Sequence, residues 1–408
     1  MRIYFIFVML FPLNLISEDK CNDYFILGNG ENIEAYGMDS TYHWWAVTKP
    51  FSDRYRMIID DFESNSYVNL GFPVFSPNGE KWAFYAQDVN SIYLETSDTI
   101  TQINCNEFGN IYFSGNSEIM AYSYKIDNLT NFVLGENIFK NLQNVNSNFY
   151  INYEGNSFAY TTNRNGLSAI ILNQEEIGTF EQIKIIGFWN DGSIFYAGKL
   201  GEYWRVYRNK EVISENYLLI SEMQVNLAGS FLVYNATLIN GQKQVYFYFD
   251  ELNNIQSSRL YQNISNLIIH PYLYLYGFRA TNTTNELVAI SNTEYASTLN
   301  ASAPKFTFDG NEIYYIYCDN NCFLAVNGKN YRLKNQFDTQ TSIVKKPFSE
   351  SFAYSTNANL VVYDLETQIM YSGMMVDRII APRYNRFENR YETLGLINNR
   401  LYLLTCKF

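Results

Sequence analysis

The sequence predicts an all-β chain that closes into one large β-propeller of four-stranded blades, and three observations carry that prediction. A short apolar strand, preceded by a Gly- or Asn-containing turn, recurs about ten times at starts 36 to 43 residues apart. Aromatics make up 17% of the chain, with 36 Tyr and 30 Phe against 8 Pro, a composition suited to pleated, half-buried surfaces. No window sustains a 3.6-residue apolar period, so no helical domain is expected. At 408 residues the chain has room for one repeat ring or two ordinary domains. About ten units are counted, with seven or eight blades as the alternative.

The N-terminus reads as an export signal. Arg2 supplies a short positive region, IYFIFVMLFPLNLI (3 to 16) an apolar core, and Ser17 a small residue before the polar EDK. Residues 1–17 are expected to be a signal peptide and residues 18–408 the propeller, exported to the medium, the periplasm or the cell surface. Pro12 and Asn14 interrupt the stretch, which is short for a membrane span; a retained anchor is the competing reading. No later segment reaches 18 consecutive apolar residues, so the mature chain is expected to have no membrane span.

The repeat is clearest in FSPNGEKWAFYAQ (75 to 87), where an aromatic and a Ser-Pro-Asn-Gly turn precede an apolar strand. Equivalent strands begin at HWWAVT (43), KWAFYA (81), IMAYSY (119), SFAYTT (157), SIFYAG (193), SFLVYN (230), LYLYGF (273), EIYYIY (312), SFAYST (351) and TLGLIN (393). Turns such as YFSGN, NYEGN, FWNDG and FTFDG stand before them, because Asn-Gly and Asp-Gly supply the positive φ that tight hairpins need. A second strand follows in many units (SIYLET, AIILNQ, WRVYRN, FLAVNG, LVVYDL), and a polar-aromatic fourth strand returns, as in IGTFEQI and YRLKNQF. A period near 40 with four strands per unit is the signature of a propeller blade. Continuous apolarity after the turn is expected where neighbouring blades cover both faces.

Export permits disulfides. Cys318 and Cys322 bracket a three-residue loop in IYYIYCDNNCFLAV, so a hairpin there sets them opposite each other within bonding reach. A free pair and a metal site compete with this reading, but no Cys or His pair sits nearby to complete a metal site. Ring closure raises a second pairing. The last unit, YETLGLINNRLYLLTCKF, has about two clear strands, and CNDYFILGN near the N-terminus offers a spare one. Residues 22 to 28 are therefore expected beside 400 to 406, which removes an exposed edge. Cys21 and Cys406 then lie at the ends of neighbouring strands, near enough to bond, with Cys105 as a competitor for either.

FSPNGEKWAFYA is similar to the Ser-Pro-Asp-Gly-led repeat of TolB-type, WD-like propellers, with Asn78 in the usual Asp place. FWNDGSIFYAGKLGEYWRVYRNKEVI and FDGNEIYYIYCDNNCFLAVNGKNYRL look like the bacterial variant of that repeat. Residues 72 to 96 match best. The resemblance implies a binding platform; the motif itself specifies turns and not chemistry.

The composition excludes several functions. A net charge of −12 lacks the basic footprint of a nucleic-acid or anionic-membrane binder. With only His43 and His270 there is no histidine-rich metal centre, and a Ser-His-Asp triad has to use one of the two. Both read as strand residues packed or capped locally. No G-x-S-x-G elbow, P-loop or H-E-x-x-H motif occurs, and no cofactor or metal is expected. Asp60–Asp61, Glu175–Glu176 and Asp250–Glu251 are available as carboxylate pairs, but adjacent acids on a strand face opposite ways.

Two features suggest binding. Trp44 and Trp45, with Trp82, Trp189, Trp204 and many tyrosines, either form a sugar- or peptide-binding rim or fill gaps between blades. Residues 378 to 408 carry Arg378, Arg383, Arg386, Arg390, Arg400 and Lys407 against only Glu388 and Glu392, so Arg383, Arg386 and Arg390 either dock an anionic partner or form a solvated face. The expected function is an exported, monomeric, non-enzymatic binding or scaffold module for a protein or glycan partner. A degenerate propeller glycan hydrolase using carboxylates and a structural surface protein are the alternatives.

Overall fold

The computed structural model describes residues 20–408 apart from 29–30, 146–147, 250–254, 283–285, 298–299 and 334–341 and the single positions 292, 308, 319 and 357. The segment expected to be a signal peptide, 1–17, and the pair Asp250–Glu251 lie outside the described residues. Within them the fold is all-β, with no helix and ten antiparallel blades arranged as a propeller. Blades 1 to 9 follow chain order from 32–63 to 343–372, and blade 10 combines 378–407 with Cys21–Leu27.

All ten apolar strands expected from the sequence are the second strands of blades, from Trp44–Phe51 in blade 1 to Arg390–Ile397 in blade 10. Their burial explains why they were legible. In Phe158–Arg164, Ile194–Leu200 and Leu232–Thr237, five successive residues are buried, because neighbouring blades cover both faces. Removing a fully buried ring such as Phe195 or Tyr234 from such an interface typically costs about 3–5 kcal/mol.

The first strands of several neighbouring blades meet each other. Many are bulged, with register breaks between Ile33 and Ala35, Ile220 and Met223, and Ser265 and Ile268. A bulge removes backbone groups from the ladder, and those need other partners. The preceding blade supplies them. Lys184 Nζ donates to Ile220 O at 2.7 Å, Gln224 Nε2 to Leu267 O at 3.0 Å, and Arg378 to Ile33 O at 3.5 Å. The regular first strand of blade 9 receives a similar contact, Lys305 Nζ to Ile343 O at 3.1 Å.

The turn joining first to second strand, here the cap turn, explains Ser-Pro-Asn-Gly. Gly79 N–H donates to Ser76 O at 2.8 Å with φ +79°, and Ser76 Oγ accepts the Lys81 N–H at 3.0 Å. Blades 4, 5, 6 and 8 repeat the first bond with Gly155, Gly192, Gly229 and Gly310. The cap turns also bond to one another around the face: Asn78 N–H to Ser117 Oγ, Asn116 N–H to Tyr153 O, Asn190 N–H to Gly229 O, and Ala228 N–H to Pro271 O. The motif therefore closes one blade and fastens it to the next.

The ring shuts as expected. Cys21–Leu27 pairs antiparallel with Arg400–Lys407 as the outermost strand of blade 10, with Cys21 opposite Cys406. The two are disulfide-bonded, with Cα atoms 4.0 Å apart. In the other blades a covalent turn joins third to fourth strand, as at Val326–Lys329. In blade 10 the third strand is Arg400–Lys407 and the fourth is Cys21–Leu27, and the disulfide links them at the place of that turn. Cys318 and Cys322 are likewise paired and bonded across their hairpin. Cys105 is a half-buried free thiol whose pKa burial pushes up.

Candidate functional site

A cavity of about 700 Å³ lies across the closing seam, lined by residues of blades 9, 10, 1 and 2. Blade 1 contributes Glu34, Ala35 and Tyr36 from its inner strand, Asn32–Met38, and Trp45 from the next strand. Blade 2 contributes Phe72, from the break between the strand segments Asn69–Leu70 and Val74–Phe75. Blade 10 adds residues 377–381, and blade 9 adds Ser355 and Thr356, with Ser342 just before its first strand. The break in blade 2 turns Phe72 outward, 67% exposed.

Trp45 is set by its neighbours. Its indole lies over Gly37, where a Cβ would come within 2.6 Å of the ring, so only glycine allows the indole to lie flat there. On its other side Phe72 approaches to 5.3 Å between ring centroids. Arg378 stands 6.0 Å from the Tyr36 ring, and burial raises the Tyr36 pKa against the opposing pull of that guanidinium. Asp377 accepts the Asn398 N–H at 2.8 Å, which fixes one of its oxygens. Aromatic faces, hydroxyls, two carboxylates and a guanidinium thus surround one open hollow. Such a set can stack on a ring and hydrogen-bond its substituents.

The residues singled out from the sequence fall in two places. Trp45 is in this cavity, while Trp44 packs with Ile33, Leu394 and Leu401 in the interface of blades 10 and 1. Arg383, Arg386 and Arg390 sit beside the cap turn of blade 10. Glu392, almost fully buried, takes Arg383 at 3.3 Å and Arg390 at 3.1 Å, and accepts Asn385 Nδ2 as well. Arg383 also lies 4.8 Å from the Tyr42 ring, and its two terminal nitrogens are enclosed with no hydrogen-bond partner among the described residues. Arg386 is exposed and lies on the Phe387 ring at 4.8 Å. Much of the positive charge counted at the C-terminus is therefore held within the seam.

The titratable residues considered for catalysis are dispersed. His43 bonds through Nδ1 to Asp60 and stacks on Phe75. His270 is buried in the cap turn of blade 7. Glu175 pairs with Lys210 and Glu176 with Arg164 on the surface. Among the described residues no group of three or more His, Cys, Asp or Glu is arranged to hold a metal. Glu34, Tyr36, Phe72 and Asp377 escaped the sequence reading because inner strands and strand breaks carry no periodic pattern, and the four blades supplying them converge only in the closed ring.

No protein-family model matches the chain, and no curated protein matches it in sequence. Among solved structures, a eukaryotic initiation factor is 10% identical with a TM-score of 0.49, over 85% of this chain and 92% of that one. The Dos1 propeller is 11% identical with a TM-score of 0.40, over 83% and 92%. An oligogalacturonate lyase in complex with manganese is 10% identical with a TM-score of 0.40, over 92% and 96%. These likenesses assign no activity to the chain.

Proposed function

We propose that the protein is an exported, non-enzymatic binding module of the TolB-type, WD-like kind, and that it receives a glycan in the seam cavity. The observation carrying this reading is the Trp45–Phe72 ring pair, 5.3 Å apart, in a hollow also lined by Ser342, Ser355, Thr356, Glu34 and Arg378. A sugar presents apolar C–H faces and a belt of hydroxyls, which are met by rings and by mixed donors and acceptors respectively. The two disulfides support an oxidising destination, and the cap-turn chemistry of residues 75–87 supports the repeat kinship. Phe72→Ala is the informative variant, because Phe72 is largely exposed and its loss leaves the core intact. A glycan array followed by calorimetry should show a bound glycan whose affinity Phe72→Ala lowers about tenfold or more, the scale of one lost ring contact. Unchanged affinity would remove the cavity from the account.

A second reading, a glycan hydrolase, draws on Glu34 and Asp377, two carboxylates lining the same hollow. Release of reducing ends from the bound glycan, abolished by Asp377→Asn with binding retained, would favour it over the binding module.

A further inference from the structure

The cap turn of blade 7 is held by an imidazole. Its sequence, His270-Pro271-Tyr272-Leu273-Tyr274, has neither Gly nor Asn, and His270 occupies the place that Ser76, Asn226 and Thr307 hold elsewhere. His270 is 2% exposed. Its Nδ1 accepts two backbone N–H groups, Tyr272 at 3.0 Å and Leu273 at 2.8 Å. Two donors aimed at one ring nitrogen fix the neutral imidazole with its proton on Nε2. That Nε2 is enclosed with no hydrogen-bond partner among the described residues. It abuts Gly310 of the blade 8 cap turn so closely that a Cβ there would stand 1.8 Å away. Phe306 meets the ring edge-on, and Asp309 is the charged group acting on it.

The same turn presents apolar surface. Tyr272, Leu273 and Tyr274 are 64%, 42% and 45% exposed, and Leu227, on the neighbouring turn bonded through Ala228 N–H to Pro271 O, is 62% exposed. We infer that this turn is an acid-released latch, in which a proton taken from solvent onto Nδ1 of His270 removes the acceptor holding Tyr272 and Leu273 and frees the apolar face of blades 6 and 7. The protonated ring has N–H groups on both sides and no lone pair for the turn. Its Nε2–H gains no partner among the described residues, and its charge is enclosed against Phe306 and Gly310 with Asp309 as the charged group acting on it. Burial accordingly pulls the His270 pKa down, against the pull of Asp309.

Blade 10 shows how to test this without breaking the fold. There Asn385 Oδ1 accepts the same two positions, Phe387 N–H at 3.0 Å and Glu388 N–H at 3.1 Å, so His270→Asn supplies an acceptor that does not titrate. Amide hydrogen exchange of residues 272–275, corrected for intrinsic rate, is compared between about pH 7.5 and about pH 4.5. Wild type should lose about tenfold or more of its protection on acidification, while His270→Asn keeps it. Unchanged protection in wild type, or an equal loss in the variant, would overturn the inference. Asp309→Asn is a second arm, because Asn78 and Asn116 fill that turn position in blades 2 and 3. It should shift the wild-type loss to lower pH, and an unmoved midpoint would count against the latch.

Discussion

Cys21 and Cys406 stand directly opposite one another on antiparallel strands, Cα atoms 4.0 Å apart, although 385 residues separate them in the chain. The bond lies where other blades have a turn, so it gives blade 10 a continuous covalent path between its third and fourth strands. In the chain-entropy account a loop this long is worth about 5–6 kcal/mol, against about 2 kcal/mol for the five-residue loop closed by Cys318 and Cys322. Cys406→Ser should therefore lower the thermal midpoint far more than Cys322→Ser. Comparable losses would show that closure is not where the cross-link acts.

Lys345 and Glu312 form an ion pair at 2.9 Å between blades 9 and 8, with side chains 3% and 11% exposed. Glu312 also accepts the Phe348 N–H at 2.8 Å. Lys345→Ala leaves that carboxylate without its cation and should cost about 3–5 kcal/mol in denaturant unfolding. Adding Glu312→Gln keeps the bond to Phe348 and removes the stranded charge, so the double variant should recover much of the loss.

Glu95 is fully buried and accepts a hydrogen bond from Tyr67, and its second oxygen has no partner among the described residues. Burial raises its pKa above the usual 4.5, partly offset by the Tyr67 bond. A carboxyl raised in the folded state binds its proton more tightly there. Its contribution is thus fully present below pH 4.5 and is lost as pH rises through the folded value. Glu95→Gln should flatten the stability profile above pH 4.5 and raise the midpoint near neutrality. A steeper profile in the variant would show that the buried charge is better paired than this geometry allows.

Gly229 and Gly166 separate two costs of adding a methyl group. Both have positive φ, +61° and +82°, but a Cβ at Gly229 meets the Asn190 nitrogen of blade 5 at 2.7 Å, while nothing lies within 4 Å at Gly166. Gly166→Ala should cost about 1 kcal/mol of backbone strain. Gly229→Ala should cost clearly more, because it also pushes apart two cap turns. Equal midpoints for the two variants would count against the bonded ring of cap turns.

The legible part of the fold is the part squeezed between blades. Phe158 to Thr162, or Ile194 to Gly198, are buried without a break, so their apolarity shows at a glance and its period gives the blade number. The closing strand was legible for a different reason: a terminal blade one strand short needs Tyr24, Phe25 and their neighbours to complete it. The inner strands were not. Bulges at Ile33 and Ile220 break the alternation, and Lys184 or Arg378 there looks like an ordinary surface charge until the next blade's carbonyl is seen. The C-terminal arginines were visible as a charge excess, but their neutralisation by Glu392 depends on blade 10 pairing of Arg383 with Glu392 and Asn385 with Arg390.

The shared closing blade is tested most directly by removing its N-terminal strand. A chain beginning at residue 29 should melt well below the protein beginning at residue 18, expose Cys406 to thiol labelling, and regain its midpoint when a peptide of residues 20–28 is oxidised onto Cys406. An unchanged midpoint in the truncated chain would contradict the closure of the ring by Cys21–Leu27.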